Sequence, residues 1–416
     1  MPEHERTAAN SDGEVEVTDT KTLLEWSAKY HTPNYGARAP ICLVRGDGVR
    51  VWDSDGREYL DFGSGLAVTS LGHCHPRVTG AIQEAAATLL HVSNLYHSAP
   101  QIHLAKMLTD HSFADRAFFC NSGAEANEIA IKIARKYAHD RLSSDRSEII
   151  ATNNSFHGRT YAALSATGQP KYQQGFEPLV PGFKHVPYND LRAMGRAIDN
   201  RTAAVLVEPI QGEGGVHVPD DDYLPGLRTL CDETGALLIL DEIQTGIGRT
   251  GRLWCYEHWG VEPDIMTVAK ALANGVPIGA MLTREAVASV LTAGTHGTTF
   301  GGTPFVSSVA LATLSTIIDE KIPERAARTG RYLMDGLRRI QTTEPVVKTI
   351  RGKGLLIGAE LQGAAAKVVD ACRDAGVLVL SAGEQVLRLA PPLVATEQDC
   401  DRALDVIAAA LGKLPK

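Results

Sequence analysis

With 416 residues, 44% hydrophobic and 22% charged, the chain has the make-up of an ordinary soluble protein and is long enough for more than one core. Its 41 Lys and Arg against 49 Asp and Glu give a formal charge of −8, which argues against nucleic acid or an anionic membrane as the main partner. No apolar run approaches the roughly 18 residues of a membrane span. The 7 cysteines are irregularly spaced and include no Cys-x-x-Cys, which fits reduced thiols in a cytosol better than a disulfide framework.

Residues 1–20 are polar and acidic and lack the basic and apolar regions of a signal peptide; a disordered tail is expected there. Tyr35 to Ala39 reads as a loop. Val49–Asp53 and Glu58–Phe62 flank Ser54-Asp55-Gly56-Arg57, a strong hairpin signal. Gly63 to Gly72 is glycine-rich and irregular. Helical patterns follow from Arg77 to His91 and from Pro100 to about Thr109. Arg116–Cys120 reads as a strand, followed by the tight turn Asn121–Asn127 and an Ala/Ile-rich helix to about His139.

Further strands are expected at Glu148–Thr152 and Ala203–Pro209, then a helix at Tyr223–Thr234 that Gly235 ends. Leu237-Leu238-Ile239-Leu240 is four apolar residues in a row, a strand buried on both faces, and it delivers Asp241 and Glu242. Asp264-Ile265-Met266-Thr267-Val268-Ala269 delivers Lys270 in the same way. This alternation predicts an α/β fold with a mostly parallel sheet flanked by helices. Beyond about Pro304 the pattern changes. Helices at Ser307–Asp319 and Glu324–Gln341 precede strands at Leu355–Leu361, Val377–Leu380 and Val386–Ala390, with a last helix at Glu397–Leu411. That is a smaller α+β domain, which the N-terminal segment joins. The division expected is 21–74, 75–304 and 305–416.

The strand ends carry the chemistry. In parallel sheets ligands sit beyond the carboxyl ends of strands. A strand-end Asp and a strand-end Lys are the two groups most needed by a pyridoxal phosphate (PLP) enzyme, the Lys for a Schiff base and the Asp for the pyridinium nitrogen. The plainer readings are a helix cap and a solvated lysine. Ser122-Gly123-Ala124 begins a helix, where small residues and free amides suit a phosphate, or simply an N-capped turn. Thr298-Thr299, between Gly297 and Phe300-Gly301-Gly302, offers a second set of donors. Phe156 could stack on a planar ring and Arg159 could take a carboxylate in a bidentate grip. Gly246-Ile-Gly248-Arg-Thr-Gly251 matches a dinucleotide fingerprint, but no clean amphipathic helix follows it. His73-Cys74-His75 has no matching ligand group elsewhere, so no metal is expected.

In order along the chain stand Phe119–Asn127, Phe156-His157-Gly158-Arg159-Thr160, Val207–Gly215, Leu240–Gly246, Ala269-Lys270-Ala271-Leu272 and Thr298–Gly302. Together they resemble the class III aminotransferases of PLP fold type I, closest to the acetylornithine/ornithine branch, from about Tyr35 to Leu411. The resemblance implies that Lys270 binds PLP and shuttles the proton, Asp241 pairs with the ring nitrogen, and Gln244 bonds the phenolic oxygen. It places Phe156 on the ring and Ser122, Gly123 and Ala124 on the phosphate. It brings Thr299 from the neighbouring subunit of a homodimer. Arg159 would hold the α-carboxylate, Glu213 would mask Arg388 until 2-oxoglutarate binds, and Tyr35 and Thr298 would complete the substrate side. Leu66 stands where ornithine aminotransferases carry a tyrosine, which favours an N-acylated donor. Thr303-Pro304 stands where the family usually has Asn-Pro. The expected activity is cytoplasmic transamination from N2-acetylornithine to 2-oxoglutarate, in arginine biosynthesis. Ornithine, succinylornithine, 4-aminobutyrate or a lysine-derived amine are alternative donors. A non-transaminating PLP protein and a nicotinamide-dependent oxidoreductase using Gly246–Gly251 are the other readings.

Overall fold

A computed structural model describes residues 19–36 and 38–413. Most of the expected tail lies outside the described residues; Asp19 and Thr20 cap and open a helix, Thr20–Tyr30, with the Asp19 carboxylate accepting from the Thr22 amide. No described helix is long and apolar enough to cross a membrane.

Seven strands form the central sheet. Across it they run Arg116–Cys120, Gly279–Thr283, Ile265–Val268, Leu237–Asp241, Thr202–Val207, Glu148–Thr152 and Phe183–Val186. Gly279–Thr283 is antiparallel to both neighbours, while the remaining adjacent pairs are parallel. Alternate residues feed opposite faces, which explains the unbroken apolar runs. Val205, Leu238, Leu240 and Val268 enter one core cluster; Ala204, Leu206, Ile239 and Ile265 enter another, beneath the helix Gly123–Arg141.

Two four-stranded sheets complete the fold. The expected hairpin forms between Arg50–Asp53 and Glu58–Asp61, with Gly56 at φ 81° in its turn. Its second strand pairs in parallel with Val377–Leu378, so the N-terminal segment and the C-terminal region share one sheet. The other sheet runs Val347–Lys353, Leu356–Leu361, Val386–Leu389 and Leu380–Ala382. The strands Val347–Lys353 and Phe183–Val186 and the helix Ala366–Asp374 carry too weak a pattern to be read in the sequence. The helix expected to reach His91 ends at Thr88, because Leu89 and Leu90 turn out into solvent instead of continuing along the core. Thr303 caps Pro304–Asp319 by accepting from the Val306 amide at 3.4 Å, so it does here what an Asn would do.

Gly330 lies in the interior of the helix Ile322–Thr343, where glycine is ordinarily unfavourable. A Cβ there would stand 2.0 Å from the Gly354 carbonyl oxygen, so the backbones touch only because no side chain intervenes. Gly330→Ala is therefore expected to lower unfolding stability by about 1–3 kcal/mol in urea titration. Gly195→Ala, where the nearest atom would be 3.5 Å away, should raise it by about 0.5–1 kcal/mol. A gain of stability in Gly330→Ala would contradict this packing.

Candidate active site

The carboxyl ends of the parallel strands meet at one edge of the large sheet. Asp241 stands level with Thr267 on the next strand, and Leu240 level with Val207, so Glu208, Asp241 and Lys270 reach the same edge. The antiparallel strand enters from that edge, with Gly279 opposite Cys120. A cavity of about 440 Å³ opens there, lined among others by Gly123, Phe156, Asp241, Gln244, Lys270 and Pro277. That is the size of a small-molecule site.

Asp241 is 4% exposed. Its Oδ2 accepts from Asn127 Nδ2 at 2.8 Å and lies 2.8 Å from His157 Nδ1, while Oδ1 accepts from the Ile243 amide at 3.1 Å. Thr267 donates to Asn127 Oδ1 at 2.8 Å, fixing the direction of the amide. The carboxylate is thus oriented, unable to swing, and facing the cavity. A buried negative charge so placed can keep a bound pyridine nitrogen protonated.

Lys270 begins a short turn after Ile265–Val268, at φ 41°, a left-handed conformation unusual for a residue with a side chain. Among the described residues its Nζ has no hydrogen bond or ion pair. Withdrawal from water pushes its pKa down to about 8, although Glu213 pulls the other way; Arg388 adds to the push. Such an amine is a usable nucleophile and base near neutral pH. Glu208 is also buried at the cavity, and burial raises its pKa to about 7 with Asp241 adding to the effect and His157 opposing it.

Arg388, in the strand Val386–Leu389, is 2% exposed. Its Nη1 donates to Glu213 Oε1 at 2.6 Å and to Gln244 Oε1 at 3.3 Å, and Gln244 Nε2 donates to Glu213 Oε1 at 3.4 Å. Burial works against the Glu213 carboxylate, but Arg388 and Lys270 outweigh it and hold its pKa below the usual value. Gly212 makes room for this cluster, since a Cβ there would fall 2.2 Å from Gln244 Oε1.

On the opposite wall, Ser122 caps the helix Gly123–Arg141, accepting from the Glu125 amide at 3.2 Å. Gly123 and Ala124 are the first residues of that 19-residue helix, where amides have no acceptor from a preceding turn. Phe156 lies edge-on to Tyr172, ring centroids 5.8 Å apart, and the Arg159 guanidinium sits 3.9 Å over Tyr172. Arg159 has no carboxylate partner among the described residues and is exposed at the cavity mouth. A planar aldehyde-bearing pyridine with a phosphate finds here an amine, a buried acid, an aromatic face and free helix amides.

Three expected site residues lie away from this cavity. Tyr35 is 73% exposed and packs beneath Arg38. Thr299 is exposed, and Thr298 lines a separate hollow where Asn121 donates to its hydroxyl at 3.3 Å. Sequence reading gave no role to Asn127, His157 or Glu208. The signal for Asn127 was a lone amide on the Ala/Ile face of its helix. Among the described residues no group of three or more His, Cys, Asp or Glu could hold a metal, and all 7 cysteines are unpaired.

Residues 32–411 match the family model Aminotransferase class-III. The chain is similar to the acetylornithine aminotransferase of Pseudomonas putida, at 51% identity over 389 residues covering 92% of this chain and 95% of that one. It is similar to the acetylornithine aminotransferase of Methanocaldococcus jannaschii at 49% over 384 residues, covering 92% and 96%. Its fold is similar to the crystal structure of the ornithine aminotransferase from Toxoplasma gondii ME49, with a TM-score of 0.91 and 38% identity over 95% of each chain. Sequence and fold agree that the chain belongs to the class III aminotransferases, enzymes whose cofactor is pyridoxal phosphate.

Proposed function

We propose that this enzyme moves the δ-amino group of N2-acetylornithine to 2-oxoglutarate, yielding N-acetylglutamate 5-semialdehyde and glutamate. The observation that carries the reading is the ion pair between Glu213 and Arg388, 2.6 Å across, with the arginine buried and the carboxylate half-buried at the cavity. The site has two arginines in unlike states, Arg159 without a carboxylate partner among the described residues and Arg388 masked. A donor with one carboxylate needs only the first. A dicarboxylate acceptor needs both, and displacing Glu213 supplies the second.

PLP, when bound, supplies an electron sink for the carbon that carries the reacting amine. Lys270 would hold it and then move the proton at that carbon through Nζ. Asp241 would hold the proton on the ring nitrogen, with Asn127 and His157 fixing its carboxylate. Gln244 would reach the phenolic oxygen, Phe156 the ring face, and Ser122, Gly123 and Ala124 the phosphate. The similarity to acetylornithine aminotransferases favours the acetylated donor. Leu66 agrees with it. This apolar side chain, 47% exposed in a left-handed turn spanning Ser64–Ala67 and two residues before cavity-lining Val68, offers no partner to a free α-ammonium.

A cytoplasmic homodimer completes the reading. Leu95, Tyr96 and Phe300 are 81%, 73% and 62% exposed, an apolar surface that calls for a cover, and Thr299 stands beside it. Thr299 would thereby reach the phosphate of the partner's site, and Thr298 and Tyr35 would act across the same boundary. Light scattering should return twice the chain mass; a monomer at micromolar concentration would contradict the shared site.

Two further outcomes are expected. In cofactor-free protein, an amine-selective label should modify Lys270 with a midpoint near pH 8. Below that pH the buried ammonium disfavours the fold, and the penalty fades as pH rises toward the ordinary lysine value of 10.5. A labelling midpoint near 10.5 would show a solvated lysine instead. In half-reaction spectra of the PLP-loaded enzyme, acetylornithine should give the highest kcat/KM, with ornithine and 4-aminobutyrate about tenfold or more behind. Equal or better reaction of ornithine would sink the substrate assignment.

A further inference from the structure

The glycine pattern Gly246–Gly251 opens no helix. It is a run of turns, with Gly248 at φ 89° and Gly251 at φ 92°, and it carries Arg249 into the protein interior. Arg249 is 1% exposed. Nη1 donates to the Leu355 carbonyl at 3.1 Å and the Pro391 carbonyl at 2.5 Å, and Nη2 donates to Ser70 Oγ at 3.1 Å. Among the described residues no carboxylate bonds it and its Nε has no partner. Asp61 acts on it by charge without a bond, its own oxygens being engaged by His73 and the Gly63 and Ser64 amides.

A buried cation satisfied only by neutral oxygens is a poor stabilising device, because an apolar side chain of like volume would avoid the desolvation. What this one achieves is placement. Its three acceptors come from three segments. Leu355 leads into the strand Leu356–Leu361 and Pro391 follows the strand Val386–Leu389, and in that pair Arg388 lies opposite Gly358. The Leu355 amide returns a bond to the Arg249 carbonyl at 2.9 Å. Ser70 closes the third side, its carbonyl accepting from the Leu393 amide at 2.7 Å. Arg249 therefore clamps the end of the two-stranded unit from which Arg388 projects. It does so from a loop that begins at Asp241 and Gln244, the latter itself bonded to Arg388 at 3.3 Å.

We propose that Arg249 is a positioning residue for the acceptor half-reaction: it sets Arg388 at the depth from which it pairs with Glu213 and, on exchange, with the distal carboxylate of a dicarboxylate. This rests on the reading of Arg388 given under Proposed function. The donor half-reaction leaves the Glu213–Arg388 pair closed and makes no new bond to Arg388, so it depends on that depth far less.

The test compares Arg249→Lys, Ser70→Ala and Arg388→Gln holoenzymes. Arg249→Lys keeps the charge but loses the planar fork that spans two carbonyls and a hydroxyl. It should bind glutarate, an unreactive five-carbon dicarboxylate, about tenfold more weakly and raise KM for 2-oxoglutarate equally. Its acetylornithine half-reaction should stay within about twofold of the parent and its cofactor spectrum unchanged. Ser70→Ala should move the same quantities in the same direction by about two- to threefold, and it decides the matter if Arg249→Lys does not fold. Glutarate binding like the parent's in the folded variants, or equal loss in both half-reactions, would overturn the proposal and leave the reading of Arg388 standing. Normal glutarate binding in Arg388→Gln would instead remove that reading, and this inference with it.

Discussion

The carboxylate of Asp241 is buried at the end of a central strand, gripped from one side by Asn127 and from the other by His157. A negative charge in that position is tolerable only with donors on it, and the surrounding elements are arranged to bring them. Asn127 comes from the first turns of the helix behind Gly123, and His157 from the loop after Glu148–Thr152. Thr267, on the neighbouring strand, orients the amide. Because these groups hang from rigid elements, the acid is preoriented before any ligand arrives.

The second dependence runs between the large sheet and the C-terminal region. Arg388 extends from the smaller sheet to meet Glu213 and Gln244, which line the cavity. On the proposed reading, the two halves of the reaction use two states of this one ion pair, so selectivity rests on how the two parts are registered. The close backbone stacking of Gly330 on Gly354, and of Gly354 on the loop at Thr250, is the packing side of that registration. Arg249 is its polar side.

Much of this was legible in the sequence because burial on both faces writes itself as an apolar run, and Leu237–Leu240 announces the residue that follows it. Lys270 was legible for the same reason. The antiparallel Gly279–Thr283 was not, since Gly-Ala-Met-Leu-Thr after a glycine-rich turn has no pattern that separates strand from loop. Asn127 and His157 were quoted within motifs, yet their convergence on one oxygen depends on contacts 114 and 84 residues apart in the chain, beyond any local signal. Arg249 was hidden inside a glycine spacing that mimics a nucleotide loop, because glycine marks a tight turn whatever the turn is for. The place of Thr299 is a different case: on the proposed reading it serves a neighbouring subunit, and such a residue looks idle in a single chain.

On the proposed reading Asp241 holds a proton on the ring nitrogen of the bound cofactor. This is tested most directly by the nitrogen-15 chemical shift of PLP labelled at that atom, bound to the parent enzyme and to Asp241→Ala. A protonated pyridinium signal is expected in the parent and an unprotonated one in the variant at the same pH. The same shift in both proteins would contradict it.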